Sequence, residues 1–236
     1  MDIDKIYIIS LNPEDSEIQS KTLKNLQSLN FKKQTGYEIF PAWNGHTQGI
    51  PEGYSVYPSW NQGKDTTNVW WQRDVLPGEI GCMVSHIKIW ERIVAEGLER
   101  TLILEDDFNP NGNISLLEEP KTDFDLAYLG RHKLNKDANE ISLGGSWVEP
   151  VASYCLHAYV LTLSGAKKLL NNYKIKQNII PADEFMIAAY TKHGRPDIAA
   201  LFPPTLKAIA TAKHDYINGL LRYMNSILQM MFYYKI

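Results

Sequence analysis

Three consecutive acids, Glu105, Asp106 and Asp107, follow the apolar run Thr-Leu-Ile-Leu at 101–104. Carboxylates held this close raise one another's pKa and repel unless a cation or a proton sits among them. Side chains alternate on an extended chain, so Glu105 and Asp107 face one way and Asp106 the other. An acid–x–acid pair of oxygen ligands suits Mg²⁺ or Mn²⁺, ions that commonly bridge a carboxylate and a substrate diphosphate. Two other readings stay open. From Asp107 onward, Asp107, Asn109, Asn111, Gly112 and Glu118 fall in the register of a calcium loop, although such a loop needs a helix before it and 101–106 reads as a strand. The acids could also merely cap a turn and face water.

The elements around this stretch read as strands alternating with helices. Residues 5–11 are apolar and β-rich, and 14–29 place Ile18, Thr22, Leu26 and Leu29 at helical spacing after the caps Asn12 and Asp15. Residues 36–43 read as the next strand. The clearest helix spans 76–97, with Ile80, Met83, Val84, Ile87, Trp90, Ile93 and Val94 on one stripe, Pro77 at its start and Gly97 past its end. The strand at 101–105 follows directly, and 124–130 and 152–162 are two more. Ser164 would cap a helix, and a further helix starts in Ala-Asp-Glu-Phe and ends by Gly194. This order predicts an α/β fold with a mostly parallel central sheet, in which ligands bind at the carboxyl ends of strands. Between 44 and 73 lies a long excursion with Tyr54, Tyr57, Trp60, Trp70 and Trp71, too aromatic for a loose linker. From 216 to 236, Ile217, Leu220, Leu221, Met224, Ile227, Leu228, Met231 and Phe232 predict an amphipathic C-terminal helix, packed on its own domain, forming a dimer seam or lying on a membrane surface.

Composition narrows the function classes. The chain has 236 residues, 44% hydrophobic and 22% charged, with net charge −3. That suits one domain at 1–215 followed by the terminal helix, and it lacks the basic stripe a nucleic-acid partner would need. No run of about 18 apolar residues predicts a membrane span, and the first ten residues do not read as a signal peptide. Cys82 and Cys155, without framework spacing, favour a reducing compartment, so a cytoplasmic protein is expected, with peripheral membrane contact as an option.

The stretch at 77–108, Pro-Gly-Glu-Ile-Gly-Cys-Met-Val-Ser-His through Leu-Ile-Leu-Glu-Asp-Asp-Phe, resembles the core of glycosyltransferase family 25. That family includes bacterial lipooligosaccharide sugar transferases and procollagen galactosyltransferases. Ile-Tyr-Ile-Ile-Ser-Leu resembles its first strand, and Pro-Ala-Trp-Asn-Gly its Ala-x-Asp-Gly turn, with Asn44 replacing the acid. Segments at 124–135, 153–170 and 181–186 look closer to the procollagen branch. The likeness runs from about residue 5 to 213. Where the family usually has paired arginines after its first strand, this chain has Asn-Pro-Glu-Asp-Ser-Glu-Ile-Gln-Ser-Lys, and Lys21 is the nearest cation.

The resemblance implies a GT-A-type Rossmann-like domain and an inverting transfer of a hexose, galactose or glucose, from a UDP-sugar to a hydroxyl of a glycan or hydroxylysine-type acceptor. It implies that Glu105 and Asp107 hold Mn²⁺ or Mg²⁺ against the donor diphosphate. His214 is a separate candidate for a third ligand, against a structural or exposed role for a lone histidine. Asp183 or Glu184 becomes the candidate base for the acceptor proton, against a plain helix-dipole role for that pair. Glu79, Ser85, His86 and Asp106 become donor-side residues, and Arg131 a contact for a phosphate or an acceptor acid. A non-catalytic relative that binds nucleotide-sugar or glycan is the alternative, and a calcium-binding interaction module a third.

Overall fold

The computed structural model describes residues 1–31, 35–62, 69–212 and 216–219. Strand β1 (Lys5–Ser10) lies between two parallel neighbours, β2 (Gly36–Pro41) and β3 (Arg100–Glu105). Helix α1 (Ser16–Leu29) makes the β1–β2 crossover; Asp15 caps it by accepting from the Glu17 and Ile18 amides, and Thr22, Leu26 and Leu29 are its buried face. After the short helix α2 (Gly45–Gln48), helix α3 (Pro77–Glu96) runs back to β3, with Pro77 in its first turn and Gly97 in the left-handed region at φ 67°.

Beyond β3 the strand–helix alternation stops. The later elements are β4 (Phe108–Pro110), β5 (Leu126–Lys133), β6 (Ile141–Gly144), β7 (Trp147–Glu149), β8 (Ser153–Thr162), α4 (Leu163–Asn171), α5 (Ala182–Tyr190), α6 (Pro196–Leu201), β9 (Ala208–Thr211) and β10 (Ile217–Gly219). The main sheet has eight strands in the order β2-β1-β3-β8-β5-β9-β7-β6. The expected mostly parallel sheet is corrected here. Only β1–β2, β1–β3 and β5–β9 pair in parallel, while β3–β8, β5–β8, β7–β9 and β6–β7 are antiparallel. The reason is connectivity: parallel neighbours need a crossover, usually a helix, and no helix separates β5 from β8.

Alternating side chains send Tyr7, Ile9, Ile103, Tyr128 and Tyr159 into one core with α3, α4 and α5. Ile6, Ile8, Leu102, Leu104, Ala127 and Val160 go into a second core under α1. Burial on both faces explains why the central strands are almost continuously apolar. The described part of the aromatic excursion is packed as expected; residues 63–68 and the Trp70 side chain lie outside the described residues. Trp60 is buried, and the backbone of Ser55 and Tyr57 exchanges hydrogen bonds with Lys176 and Ile179. Helix α4 is capped by Thr162, whose hydroxyl accepts from the Gly165 amide, in place of the expected Ser164, which instead donates to Asp125. At the far end, Ile217–Gly219 pair antiparallel with β4, so the helix expected from residue 216 does not begin there; residues 220–236 lie outside the described residues.

Candidate active site

The parallel strands β1, β2 and β3 end side by side, and a cleft of about 470 Å³ opens there. Its walls are the β1 end and following turn (Ile9, Ser10, Leu11, Asn12), the turn into α2 (Trp43 to His46), the first turns of α3 (Gly78, Gly81, Cys82, Ser85, His86) and the acids Glu105, Asp106 and Asp107. Two glycines let the walls meet. A Cβ on Gly81 would stand 2.4 Å from the Trp43 carbonyl oxygen, and one on Gly45 would overlap the Pro77 carbonyl. Ser85 fastens the same crossing, accepting from the Trp43 amide at 2.8 Å and donating to the Gly81 carbonyl at 2.7 Å. Asn44, at the family-like turn, caps α2 by accepting from the His46 and Thr47 amides.

The three acids have different surroundings. Asp106 is tied to β1: it accepts from the Ser10 hydroxyl at 2.6 Å, and its amide donates to the Ile9 carbonyl. Lys21 donates to the Asp106 carbonyl at 3.4 Å. Glu105 is pushed up from 4.5 to about 8, first by desolvation and then by the charges of Asp107, Asp183 and Asp106. Asp183, at the start of α5, is raised from 3.8 to about 7; desolvation leads, the Cys155 amide bond opposes it, and Glu184 and Glu79 add repulsion. That amide reaches Asp183 Oδ1 at 3.2 Å from a bulge in β8, where three residues oppose Arg131 alone and Cys155 takes φ 77°. A non-glycine residue in that region stores strain, which is common beside functional groups.

Other expected residues are engaged elsewhere. Glu184 is buried and satisfied on both oxygens, by Trp71 Nε1 and the Tyr154 hydroxyl on one and by His193 Nε2 at 2.7 Å on the other. Glu79 accepts the Leu76 amide at the start of α3 and a two-nitrogen fork from Arg73 at 2.6 and 2.8 Å. Arg131 is buried in a bidentate pair with Glu140 at 2.6 and 2.7 Å and donates to Ser153 Oγ, away from the cleft lining. His214 lies outside the described residues. The calcium-loop register is taken up differently: β3 stands where its leading helix would be, and Phe108–Pro110 is a strand.

The donor set fits a divalent cation. Glu105, Asp106 and Asp107 bring oxygen donors to one cleft, where their mutual repulsion invites positive charge. Glu105 also joins Cys82 and His86 in a group whose potential ligand atoms lie within 4.8 Å of one another. Cys82 was the residue sequence reasoning passed over; its i, i+4 spacing from His86 on a helix was the available signal.

The family model described as glycosyltransferase family 25 (LPS biosynthesis protein) matches residues 3–138, more than half of the chain. The chain belongs to glycosyltransferase family 25. Among relatives, procollagen galactosyltransferase 1 of Danio rerio is 29% identical over 213 residues, covering 86% of this chain and 34% of its own length. Procollagen galactosyltransferase 1-A of Xenopus laevis is 31% identical over 216 residues, with the same 86% and 34% coverage. Inactive glycosyltransferase 25 family member 3 of Homo sapiens is 38% identical over 142 residues, covering 56% of this chain and 24% of its own length. The chain therefore spans about a third or less of the curated relatives it matches. A solved structure, mouse xyloside xylosyltransferase 1 in its apo form, covers 92% of this chain and 99% of its own, but at 10% identity and a TM-score of 0.31 it carries no argument. The family match contains the whole cleft lining, whereas Asp183 and Glu184 lie beyond it.

Proposed function

We propose that this family-25 chain is a metal-dependent inverting hexosyltransferase of the GT-A type. It takes galactose or glucose from a UDP-sugar to a hydroxyl of a glycan or a hydroxylysine-type acceptor. The observation that carries the reading is the acid-lined cleft at the carboxyl ends of three parallel strands, inside a family-25 match. Relatives named procollagen galactosyltransferase support galactose and a collagen-like acceptor. Glu105 and Asp107 would hold Mn²⁺ or Mg²⁺, which supplies Lewis-acid stabilisation of the departing nucleotide diphosphate. Asp106, anchored to Ser10, keeps the acidic turn against β1. Asp183 is the base. In one in-line displacement the acceptor oxygen bonds to the anomeric carbon, the bond from that carbon to the diphosphate oxygen breaks, and the acceptor proton passes to the Asp183 carboxylate. A carboxyl that titrates near 7 is well matched to that task, and Glu184, already satisfied on both oxygens, serves to hold α5. That neither Cys82 nor Cys155 is in a disulfide supports a reducing compartment, and no helix among the described residues is long and apolar enough to cross a membrane.

A second reading, a non-catalytic binder of nucleotide-sugar, is favoured by one feature: among the described residues, the cleft lining contains no Lys or Arg to meet a diphosphate. Relatives named as inactive members are consistent with it. The deciding experiment incubates the protein with UDP-galactose or UDP-glucose, Mn²⁺, and glycan or hydroxylysine-containing peptide acceptors. Release of UDP together with glycosylated acceptor, lost in Asp107→Asn and Asp183→Asn, is the expected outcome. Donor binding without turnover on any acceptor would favour the non-catalytic reading, and absent binding of every nucleotide-sugar would sink both.

A further inference from the structure

His86 is fully buried, yet only one side of its ring is answered. Its Nδ1 lies 2.8 Å from the Tyr159 hydroxyl, which also accepts from Trp90 Nε1 at 3.0 Å, while its Nε2 has no hydrogen-bond partner. Buried ring nitrogens are normally satisfied, so this one asks for a ligand. Cys82 stands one helical turn away on the same face of α3, and Glu105 arrives from the end of β3. One nitrogen, one sulfur and one oxygen donor thus lie within 4.8 Å of one another. All three residues line the cleft, and the contact with Tyr159 orients the imidazole as outer hydrogen bonds orient metal-bound histidines.

We propose that Cys82, His86 and Glu105 form a site for a borderline-soft divalent cation of the Zn²⁺ class. The ligand chemistry separates it from the oxygen-only pair Glu105 and Asp107. Thiolate and imidazole select zinc-like ions, whereas Mg²⁺ and Mn²⁺ prefer oxygen. Three protein ligands leave a fourth position towards the cleft for water or a phosphate oxygen. Binding converts the Cys82 thiol to a metal-bound thiolate and releases its proton to solvent. Because both sites draw on Glu105, the two ions contend for one carboxylate, and Zn²⁺ weakens any nucleotide binding that depends on Mn²⁺.

The test uses Co²⁺ as a coloured stand-in for Zn²⁺ on the full chain. One equivalent should give thiolate-to-cobalt charge-transfer absorption that disappears in Cys82→Ser and persists in both Cys155→Ser and Asp107→Asn. Zinc X-ray absorption on the unmutated protein covers the case in which Cys82→Ser fails to fold; it should find one sulfur at about 2.3 Å. No charge-transfer band, a band that follows Cys155, or a zinc shell of nitrogen and oxygen alone would overturn the proposal. The site does not use Asp107, so failed glycosyl transfer leaves it standing. A missing cobalt band equally leaves the transferase reading intact.

Discussion

Asp183 and Glu184 are adjacent in sequence and differ in what their neighbours ask of them. Asp183 accepts one backbone amide and its charge helps raise the Glu105 carboxyl, while Glu184 is enclosed by Trp71, Tyr154 and His193. Asp183→Asn should therefore lower the transfer rate by about 10²–10⁴ while donor binding, measured by calorimetry, survives. Glu184→Ala should instead cost about 3 kcal/mol in urea unfolding, because the buried His193 and the half-buried Trp71 and Tyr154 lose their acceptor. The raised pKa of Asp183 also has a stability consequence. Between 3.8 and about 7 the folded protein keeps a proton that the unfolded chain has released, so this stabilisation is complete below pH 3.8 and is lost as pH rises through 7. Asparagine stays neutral throughout. With a chelator present, the melting temperature of Asp183→Asn relative to the unmutated protein should rise between pH 5 and pH 8; a flat difference would contradict the assigned shift. The same two residues mark the limit of sequence reading at this scale. Both were legible as candidate acids, but which one is already committed to partners depends on side chains 9 to 113 positions away.

At the scale of elements, the cleft depends on α3 touching the turn between β2 and α2 backbone to backbone. Gly81→Ala places a methyl 2.4 Å from the Trp43 carbonyl oxygen, which neither helix nor turn can yield cheaply. It should destabilise by about 1–3 kcal/mol in thermal or urea unfolding and shift the Trp43–His46 wall of the cleft. The short sheet of β4 and β10 makes a second case. Ile217 is fully buried in the core under α1, and its carbonyl accepts from His157 Nε2 at 2.9 Å. Ile217→Ala should cost about 2–5 kcal/mol, the range for emptying a core isoleucine site; a cost near zero would mean that this strand is not part of the fold. The helical spacing from 216 onward hid that strand, because Ile217 suits either period and pairing with β4 outweighs local preference at 217–219. Helices α1 and α3 were legible almost to the residue, since their caps and stripes are local signals.

Over the whole molecule, the eight-stranded sheet separates two cores, and its three parallel strands gather the acidic cleft at one end. A donor that binds there stabilises the entire fold by mass action. At 100 times its dissociation constant, a UDP-sugar with Mn²⁺ should add about 2.7 kcal/mol, roughly 5–10 °C of melting temperature for a chain of this length. Chelating the metal should remove most of that shift, as should Asp107→Asn. An equal shift without metal would argue that the acids serve another purpose.

The sequence by itself determined the family motif, the strand that ends in Glu105, Asp106 and Asp107, and the amphipathic faces of α1 and α3. Each is written in residues a few positions apart, where periodicity, caps and like charges speak locally. Strand direction beyond β3 was decided only in three dimensions, because pairing is chosen among segments far apart and follows the connections available. Tertiary structure also withdrew Arg131 into its pair with Glu140 and brought Cys82 and His86 to Glu105. In both cases the deciding partner sits on a separate turn or strand, and burial, which spacing alone does not report, selects which polar groups are satisfied and which are left to bind.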